Sequence, residues 1–227
     1  RYARADLGIR RFAVLHPDDS YGQEMARLFK EEVLKKGGEI RKVQSYGTAE
    51  TDFGKEIRLI AGLPPADPEM ETPPGFSPKP LLDFEALFIP DSSYRVTMIA
   101  PQLAYHDVTG VRLLGTSGWD SPELLKANPD LLQGAVFVSG FFANSFRPEV
   151  NAFVEEFYMA FGREPDAMEA LVYDAAAITV RVTLQNPGGS REDIRRHLLQ
   201  VKGYPGVTGR TSFLPTRDAD KELFVLT

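Results

Sequence analysis

The sequence predicts an α/β protein built on a doubly wound, parallel β-sheet. Over about the first 140 residues, short apolar runs typical of buried parallel strands alternate with segments whose apolar residues recur at helical spacing. After Phe146, helical segments follow one another without a strand between them. We therefore expect one complete α/β layer, followed by a group of helices that lacks a sheet of its own.

The first half of the chain shows its strand and helix signals in a regular order. The apolar run 11–15 predicts the first strand, and Ser20 with Gln23 three residues later predicts a capping box on the first helix, which ends at Gly37-Gly38. The elements expected after it are a strand over 39–46, a helix capped by Thr51 or Asp52, a strand over 84–89, a helix from Ser92 or Ser93 through Leu103 with a kink or early stop at Pro101, a strand over 111–114, a short helix opened by Ser121, Pro122 and Glu123, and a strand over 134–139.

A proline-rich stretch, 63–80, interrupts this order. Seven of the 17 prolines fall in it, and proline lacks the backbone donor that helices and central strands need. We interpret the stretch as a surface insertion.

The second half predicts helices over 148–161, 167–184 and 190–199, the last with a capping box of Ser190 and Asp193. The helix over 167–184 is apolar on most sides. The residues of its main stripe are Leu171, Ala175, Ile178 and Val182. Such a helix needs a covering surface that the following sequence does not supply. Two strands, 207–213 and 223–226, joined by a turn over 217–220, end the pattern.

Composition excludes several classes of function. A net charge of −6 argues against a nucleic-acid partner, and no apolar run is long enough to cross a membrane. Cysteine is absent, and the three histidines (His16, His106 and His197) show no metal-ligand spacing, so we expect neither a metal nor a cofactor. Asp18-Asp19 could serve as a metal or catalytic pair, but helix capping is the favoured interpretation. We expect a binding protein and not an enzyme.

Four loops that follow predicted strands share one chemistry. Each combines small hydroxyl or carboxylate groups with an aromatic ring, which suits a pocket whose rings form apolar walls and whose polar groups fix the ends of a small ligand. The candidate ligand-binding residues are Ser20, Tyr21, Asp91, Ser92, Ser93, Tyr94, Ser117, Trp119 and Phe141. The alternative is ordinary helix capping, which explains the Ser and Asp residues but not the rings.

The chain resembles the type I periplasmic binding proteins, which include branched-chain amino-acid receptors of ABC transporters. The segments that carry the resemblance are 12–22 (FAVLHPDDSYG), Tyr46 with 51–53 (TDF), 87–91 (LFIPD), 134–138 (GAVFV), 161–165 (FGREP), 173–176 (YDAA) and 206–209 (GVTG). The insertion before Phe84 is similar to the branch that includes lipoprotein activators of penicillin-binding proteins.

The resemblance implies two α/β lobes that close on a ligand. Residues 1–146 would form lobe two, 147–204 the helical remainder of an incomplete lobe one, and 205–227 strands that return to lobe two. Because the sheet of lobe one has no counterpart in these residues, we expect the chain to be a fragment of a longer periplasmic receptor or outer-envelope lipoprotein. Tyr21, residues 92–94 and residues 117–119 match the family's contact loops. Gly118-Trp119 occupies the loop where some amino-acid receptors hold the ligand's ammonium with an acid, which argues against an amino-acid ligand.

Two functions remain open from the sequence. The first is a non-enzymatic receptor that binds a small polar ligand, such as an amino acid or a similar compound, and delivers it to a membrane transporter or sensor. The second is an envelope lipoprotein that regulates cell-wall synthesis by contact with a synthase. The aromatic and polar loops favour the first, and the insertion together with the missing ammonium acid favours the second.

Overall fold

The strand β1 (Arg11–Pro17) lies inside a four-stranded parallel sheet of order β2-β1-β3-β4. The computed structural model describes residues 1–64, 79–127 and 129–227. All residues of β1 after Arg11 are buried, which explains why this strand reads as a continuous apolar run and not as an alternating one. The predicted insertion, 63–80, lies outside the described residues except at its two ends.

The helices of the described residues are α1 (Tyr2–Ala5), α2 (Ser20–Lys35), α3 (Gly54–Ile60), α4 (Ser93–Tyr105), α5 (Pro122–Ala127), α6 (Pro148–Phe161), α7 (Ala167–Gln185) and α8 (Arg191–Leu198). The strands are β1 (Arg11–Pro17), β2 (Glu39–Tyr46), β3 (Ala86–Phe88), β4 (Arg112–Leu114), β5 (Phe137–Ser139), β6 (Tyr204–Gly206), β7 (Gly209–Phe213), β8 (Ala219–Lys221) and β9 (Phe224–Leu226).

Both faces of the parallel sheet are covered by helices. Ala13 and Leu15 of β1 pack into a core with residues of α3, α4 and α5, whereas Phe12 and Val14 pack into a second core with residues of α2. Successive side chains of a strand point to opposite faces, so one strand serves both cores. This confirms the α/β, doubly wound fold class.

The chain divides into two compact units. The first comprises Arg1–Val138 with Val225–Thr227, and the second comprises Ser139–Phe224. The division falls after residue 138, where the sequence suggested 146. Only the last three residues return to the first unit, and β9 pairs with β5 there, whereas β6, β7 and β8 form an antiparallel sheet within the second unit.

The helices of the second unit begin and end where local chemistry dictates. Pro148 occupies the start of α6, and Gly162 ends that helix at a positive φ of 70°, a conformation that glycine adopts without strain. Capping boxes begin both α7, through Asp166 and Glu169, and α8, through Ser190 and Asp193. The predicted bounds of α6 and the predicted box of α8 are confirmed.

The buried face of α7 differs from the expected stripe. Its buried residues are Ala170, Asp174, Ile178 and Val182, while Leu171 and Ala175 are exposed. The reason is that the turn between β6 and β7 binds the Asp174 side of the helix through main-chain hydrogen bonds. Hydrophobicity alone could not distinguish that side from its neighbour, because both are rich in apolar residues.

Two further expectations were wrong in detail, and one element was not predicted. Of the kink or early stop expected at Pro101, the early stop is wrong, because α4 continues to Tyr105 with the proline on its exposed side. The segment 207–213 is not one strand, because Val207 and Thr208 form the turn between β6 and β7. The element that the pattern did not predict is α1, because its four residues show no amphipathic period.

Candidate functional site

The candidate site lies at the carboxyl edge of the parallel sheet in the first unit. The strands β1, β2, β3 and β4 run in the same direction, so the loops that follow them lie along one edge. In open parallel sheets this edge is where ligands bind.

Side-chain hydrogen bonds connect these loops to one another. The hydroxyl of Tyr21, after β1, donates to Oγ1 of Thr116, after β4, over 3.2 Å. The hydroxyl of Tyr46, at the end of β2, donates to Oδ2 of Asp91, after β3, over 2.6 Å. A third bond, from the backbone N–H of Asp18 to the carbonyl of Tyr46 over 2.8 Å, links these two pairs, so the loops after β1, β2, β3 and β4 are connected.

The helix α2 begins with a cap different from the predicted one. Asp19, whose backbone is extended, accepts a hydrogen bond from the backbone N–H of Gly22 over 2.7 Å, whereas Ser20 is already the first helical residue and is exposed. A capping side chain must come from a residue with non-helical backbone, so the proposed box of Ser20 and Gln23 is wrong. Asp18 accepts from the side-chain amide of Gln23 over 2.8 Å. Both carboxylates of the pair thus serve the start of the helix.

Asp91 is held by its own surroundings. Besides the Tyr46 hydroxyl, its carboxylate accepts from the backbone N–H of Ser92 over 2.6 Å, and Nε of Arg95 lies 3.8 Å from Oδ2. Burial, followed by the hydrogen bond to Asp91, raises the pKa of Tyr46 well above its ordinary value, so this phenol stays a donor. Asp91 therefore stabilises the conformation of the loop that follows β3.

Arg95 fastens the loop after β2 to the start of α4. Its guanidinium donates to the carbonyl groups of Gly47, Thr48 and Glu50 and lies 5.2 Å from the centre of the Phe53 ring. A planar group with several donors can satisfy the carbonyls of a turn that has no strand partner. Arg95 was not among the predicted site residues, although its position four residues after Asp91 on a helix is a signal of pairing.

Trp119 does not line this surface. Its side chain is fully buried in the core, and its Nε1–H donates to the carbonyl of Ile89 over 3.1 Å. A Cβ on Gly115 would overlap the indole, so glycine at this position makes room for the ring to fold back under the loop. The prediction that Trp119 contacts a ligand is not supported by this placement.

Phe141 is likewise buried, in the second unit, where its ring packs edge-on against Phe153 at 6.0 Å. An aromatic residue after a strand is as well suited to a core as to a pocket, and sequence alone does not separate the two.

The residues that do face solvent form a smaller set. Tyr21 is 50% exposed and Tyr94 is 70% exposed. The hydroxyl-bearing residues beside them are exposed at Ser20, Ser92 and Ser117 and half-buried at Ser93. We refer to Ser20, Tyr21, Ser92, Ser93, Tyr94 and Ser117 as the strand-end surface. Aromatic rings next to hydroxyl groups can bind a small ligand without covalent chemistry.

The described part of the chain contains neither a metal-ligand cluster nor a membrane-spanning helix. There, no group of three or more His, Asp and Glu side chains is arranged to hold a metal ion. None of the helices described has both the length and the apolar character that a membrane span requires.

A parallel α/β sheet with such a loop edge occurs in many classes of ligand-binding protein, so the fold alone does not fix the family. A family model described as periplasmic binding protein matches residues 1–226, and the chain belongs to this family. It is a family of non-enzymatic solute-binding proteins, which implies an extracytoplasmic location.

Solved structures share the fold at low sequence identity. The leucine binding protein LivK from Thermotoga maritima is 20% identical, with 99% of this chain and 59% of that chain covered and a TM-score of 0.71. The substrate binding protein LivJ from Streptococcus pneumoniae, in complex with isoleucine, is 20% identical, with coverage of 100% and 59% and a TM-score of 0.68. A solute binding protein from R. palustris in complex with benzoate is 16% identical, with coverage of 98% and 56% and a TM-score of 0.66.

The chain thus spans less than three fifths of the length of these structures. No curated protein matches its sequence.

Proposed function

We propose that the full-length protein is a periplasmic solute receptor and that the strand-end surface forms one wall of its ligand site. The exposure of Tyr21 and Tyr94 carries this proposal. Exposed aromatic rings lose water favourably when an apolar ligand body covers them. The loops beneath these rings are held by Asp91 and Arg95, so little order has to be gained on binding.

We further propose that the ligand is a small organic acid without an ammonium group. Structures similar to this chain hold isoleucine, leucine, benzoate and 3,4-dihydroxy benzoic acid, which all pair a carboxylate with an apolar body. An amino acid would also need a free carboxylate in the protein to balance its ammonium. In the strand-end loops, Asp91 and Asp19 already accept internal hydrogen bonds, and Gly118-Trp119 supplies no acid. A membrane transporter would take up the released ligand.

The experiment is a thermal-shift and calorimetric titration of the full-length protein with leucine, isoleucine, benzoate and 3,4-dihydroxybenzoate. We expect the two aromatic acids to raise the melting temperature and the two amino acids to leave it unchanged. Tyr21→Ala and Tyr94→Ala should each weaken binding about tenfold, since this corresponds to roughly 1.4 kcal/mol of lost contact. Tyr105→Ala is the matched control, because Tyr105 is an exposed tyrosine at the other end of α4.

A second candidate function is that of an envelope lipoprotein that binds a cell-wall synthase. The proline-rich sequence of residues 63–80 favours it, since such a segment suits protein contacts. Absence of a shift with all four compounds, together with synthase binding that survives Tyr21→Ala and Tyr94→Ala, would favour this candidate over the receptor.

A further inference from the structure

The second unit contains a cleft of about 440 Å³ between the end of α7, the end of α8 and the start of β6. Its floor is apolar and includes Ile178 and Val182, which are both buried. Its rim carries Arg181, His197 and Lys202. The volume lies within the range of small-molecule sites, roughly 300 to 1,000 Å³.

The charged groups of the rim are of one sign. Among the described residues that line the cleft, there is no Asp or Glu. The guanidinium of Arg181 lies 5.7 Å from the centre of the Tyr204 ring, which holds the cation beside the cleft. The ammonium of Lys202 donates one hydrogen bond to the carbonyl of Phe213 and keeps two further hydrogens for another acceptor.

The ring of His197 on the same rim is held by a hydrogen bond. Its Nδ1 lies 2.7 Å from the carbonyl oxygen of Asp193. Because a carbonyl only accepts, Nδ1 carries the hydrogen of this bond, and Nε2 of the neutral ring is then an acceptor, so the donors for an anion are Arg181 and Lys202.

Two acids that lie one helical turn before residues of the cleft are already compensated. Asp174, one turn before Ile178, accepts from Thr208 and lies 3.8 Å from the ammonium of Lys221. Asp193 pairs with Arg196 and accepts from Ser190. The positive charge of the rim is therefore not cancelled from within.

We propose that this cleft is a second binding site, which takes a small organic oxyanion such as a phosphate ester. Arg181 and Lys202 bind the oxygens, because charge-assisted hydrogen bonds from a guanidinium and an ammonium are the strong contacts for such groups. The apolar body of the ligand covers Ile178 and Val182. This site is independent of the strand-end surface, which lies in the other unit.

The test is calorimetric titration of the full-length protein with phenyl phosphate, and with phenol as the neutral probe of the same ring. We expect phenyl phosphate to bind and phenol not to bind. Arg181→Gln and Lys202→Gln should each weaken the binding of phenyl phosphate at least tenfold. Arg210→Gln is the matched control, since Arg210 is an exposed arginine of the same unit outside the cleft, and it should change nothing.

Tyr94→Ala separates this site from the strand-end surface, and it should leave the affinity for phenyl phosphate unchanged. The proposal is overturned if phenyl phosphate does not bind, if Arg181→Gln and Lys202→Gln bind it like the natural protein, or if Tyr94→Ala abolishes binding. Arg181 and Lys202 are both exposed, so we expect their replacement to leave the fold unchanged. Circular dichroism of each variant checks this.

Discussion

The buried carboxylate of Asp174 accepts hydrogen bonds from both the backbone N–H and the hydroxyl of Thr208, 34 residues further along the chain. It accepts a further bond from the N–H of Val207 over 2.8 Å, so the turn between β6 and β7 is fixed to the middle of α7. Gly206 fits against this carboxylate only because it lacks a Cβ, which would overlap the oxygens.

Asp174→Ala should therefore destabilise the protein strongly. We expect the free energy of unfolding to fall by about 3 kcal/mol, because two buried N–H groups lose their acceptor and the ammonium of Lys221 loses its ion-pair partner. Urea unfolding measures the loss. Glu155→Ala, on the exposed side of α6, is the control and should stay within about 0.5 kcal/mol of the natural protein. Equal stability of the two variants would refute the role of Asp174.

The second prediction concerns Tyr46 and alkaline pH. Because the pKa of Tyr46 is raised in the folded protein, its proton is kept there while the unfolded chain loses it near the ordinary value of 10.0. The unfolded state then binds fewer protons, so this contribution to stability is complete below that pH and is lost as the pH rises above it. Tyr46→Phe should lower the free energy of unfolding by about 1 to 2 kcal/mol at neutral pH, through loss of the bond to Asp91.

Above pH 10.0 the difference between the natural protein and Tyr46→Phe should shrink, since phenylalanine has no proton to lose. Urea unfolding at neutral and at alkaline pH measures both values, with Tyr105→Phe as the control for an exposed tyrosine. A difference that stays constant with pH would contradict the prediction.

The third prediction tests the junction between β1 and α2. A Cβ on Gly22 would overlap the carbonyl oxygen of Pro17, and a backbone oxygen cannot turn aside as a side chain can. Gly22→Ala should cost about 2 kcal/mol or more. The matched control is Gly140→Ala, because nothing lies within 4 Å of the added carbon there. Thermal unfolding compares the two, and a Gly22→Ala melting temperature equal to that of the control would count against the close approach.

The fourth prediction uses Trp119, the single tryptophan of the sequence. Since its indole is fully buried, native fluorescence should be emitted at short wavelength and resist quenching by acrylamide, and both properties should disappear in guanidinium chloride. Binding of a ligand to the strand-end surface should leave this resistance unchanged. Emission at the wavelength of free tryptophan in the native protein would place Trp119 in solvent and return it to the candidate site.

The pattern of apolar residues was sufficient to predict those helices and strands in which it extends over many residues. The helix α6 has the predicted bounds, and β1 begins at the predicted residue. In α6 the apolar pattern is bounded by Pro148 and Gly162, residues that favour the start and the end of a helix. The location of the loops at one edge of the sheet also follows from parallel strand order alone.

The sequence could not decide which of two similar residues caps a helix, or which of two aromatic residues is buried. Asp19 and Ser20 can both cap a helix, and only the backbone conformation selects Asp19. Tyr94 and Trp119 are both aromatic residues shortly after a strand of the sheet, yet one is exposed and the other forms part of the core. Burial depends on contacts between distant segments, such as that from Trp119 to Ile89, which local patterns do not contain.

The contacts that stabilise the backbone of the strand-end loops affect which substitutions this protein can accept over evolutionary time. Gly22, Gly115, Asp91 and Arg95 keep the loop backbones in place through contacts that do not involve the outward-facing side chains. Substitutions at Ser20 or Tyr94 can therefore accumulate at little cost to folding, whereas Ser92 also caps α4 by accepting a hydrogen bond from the backbone N–H of Arg95. Under the proposed function, a descendant can acquire a different ligand by substitution of these exposed side chains, while the framework that presents them is inherited unchanged.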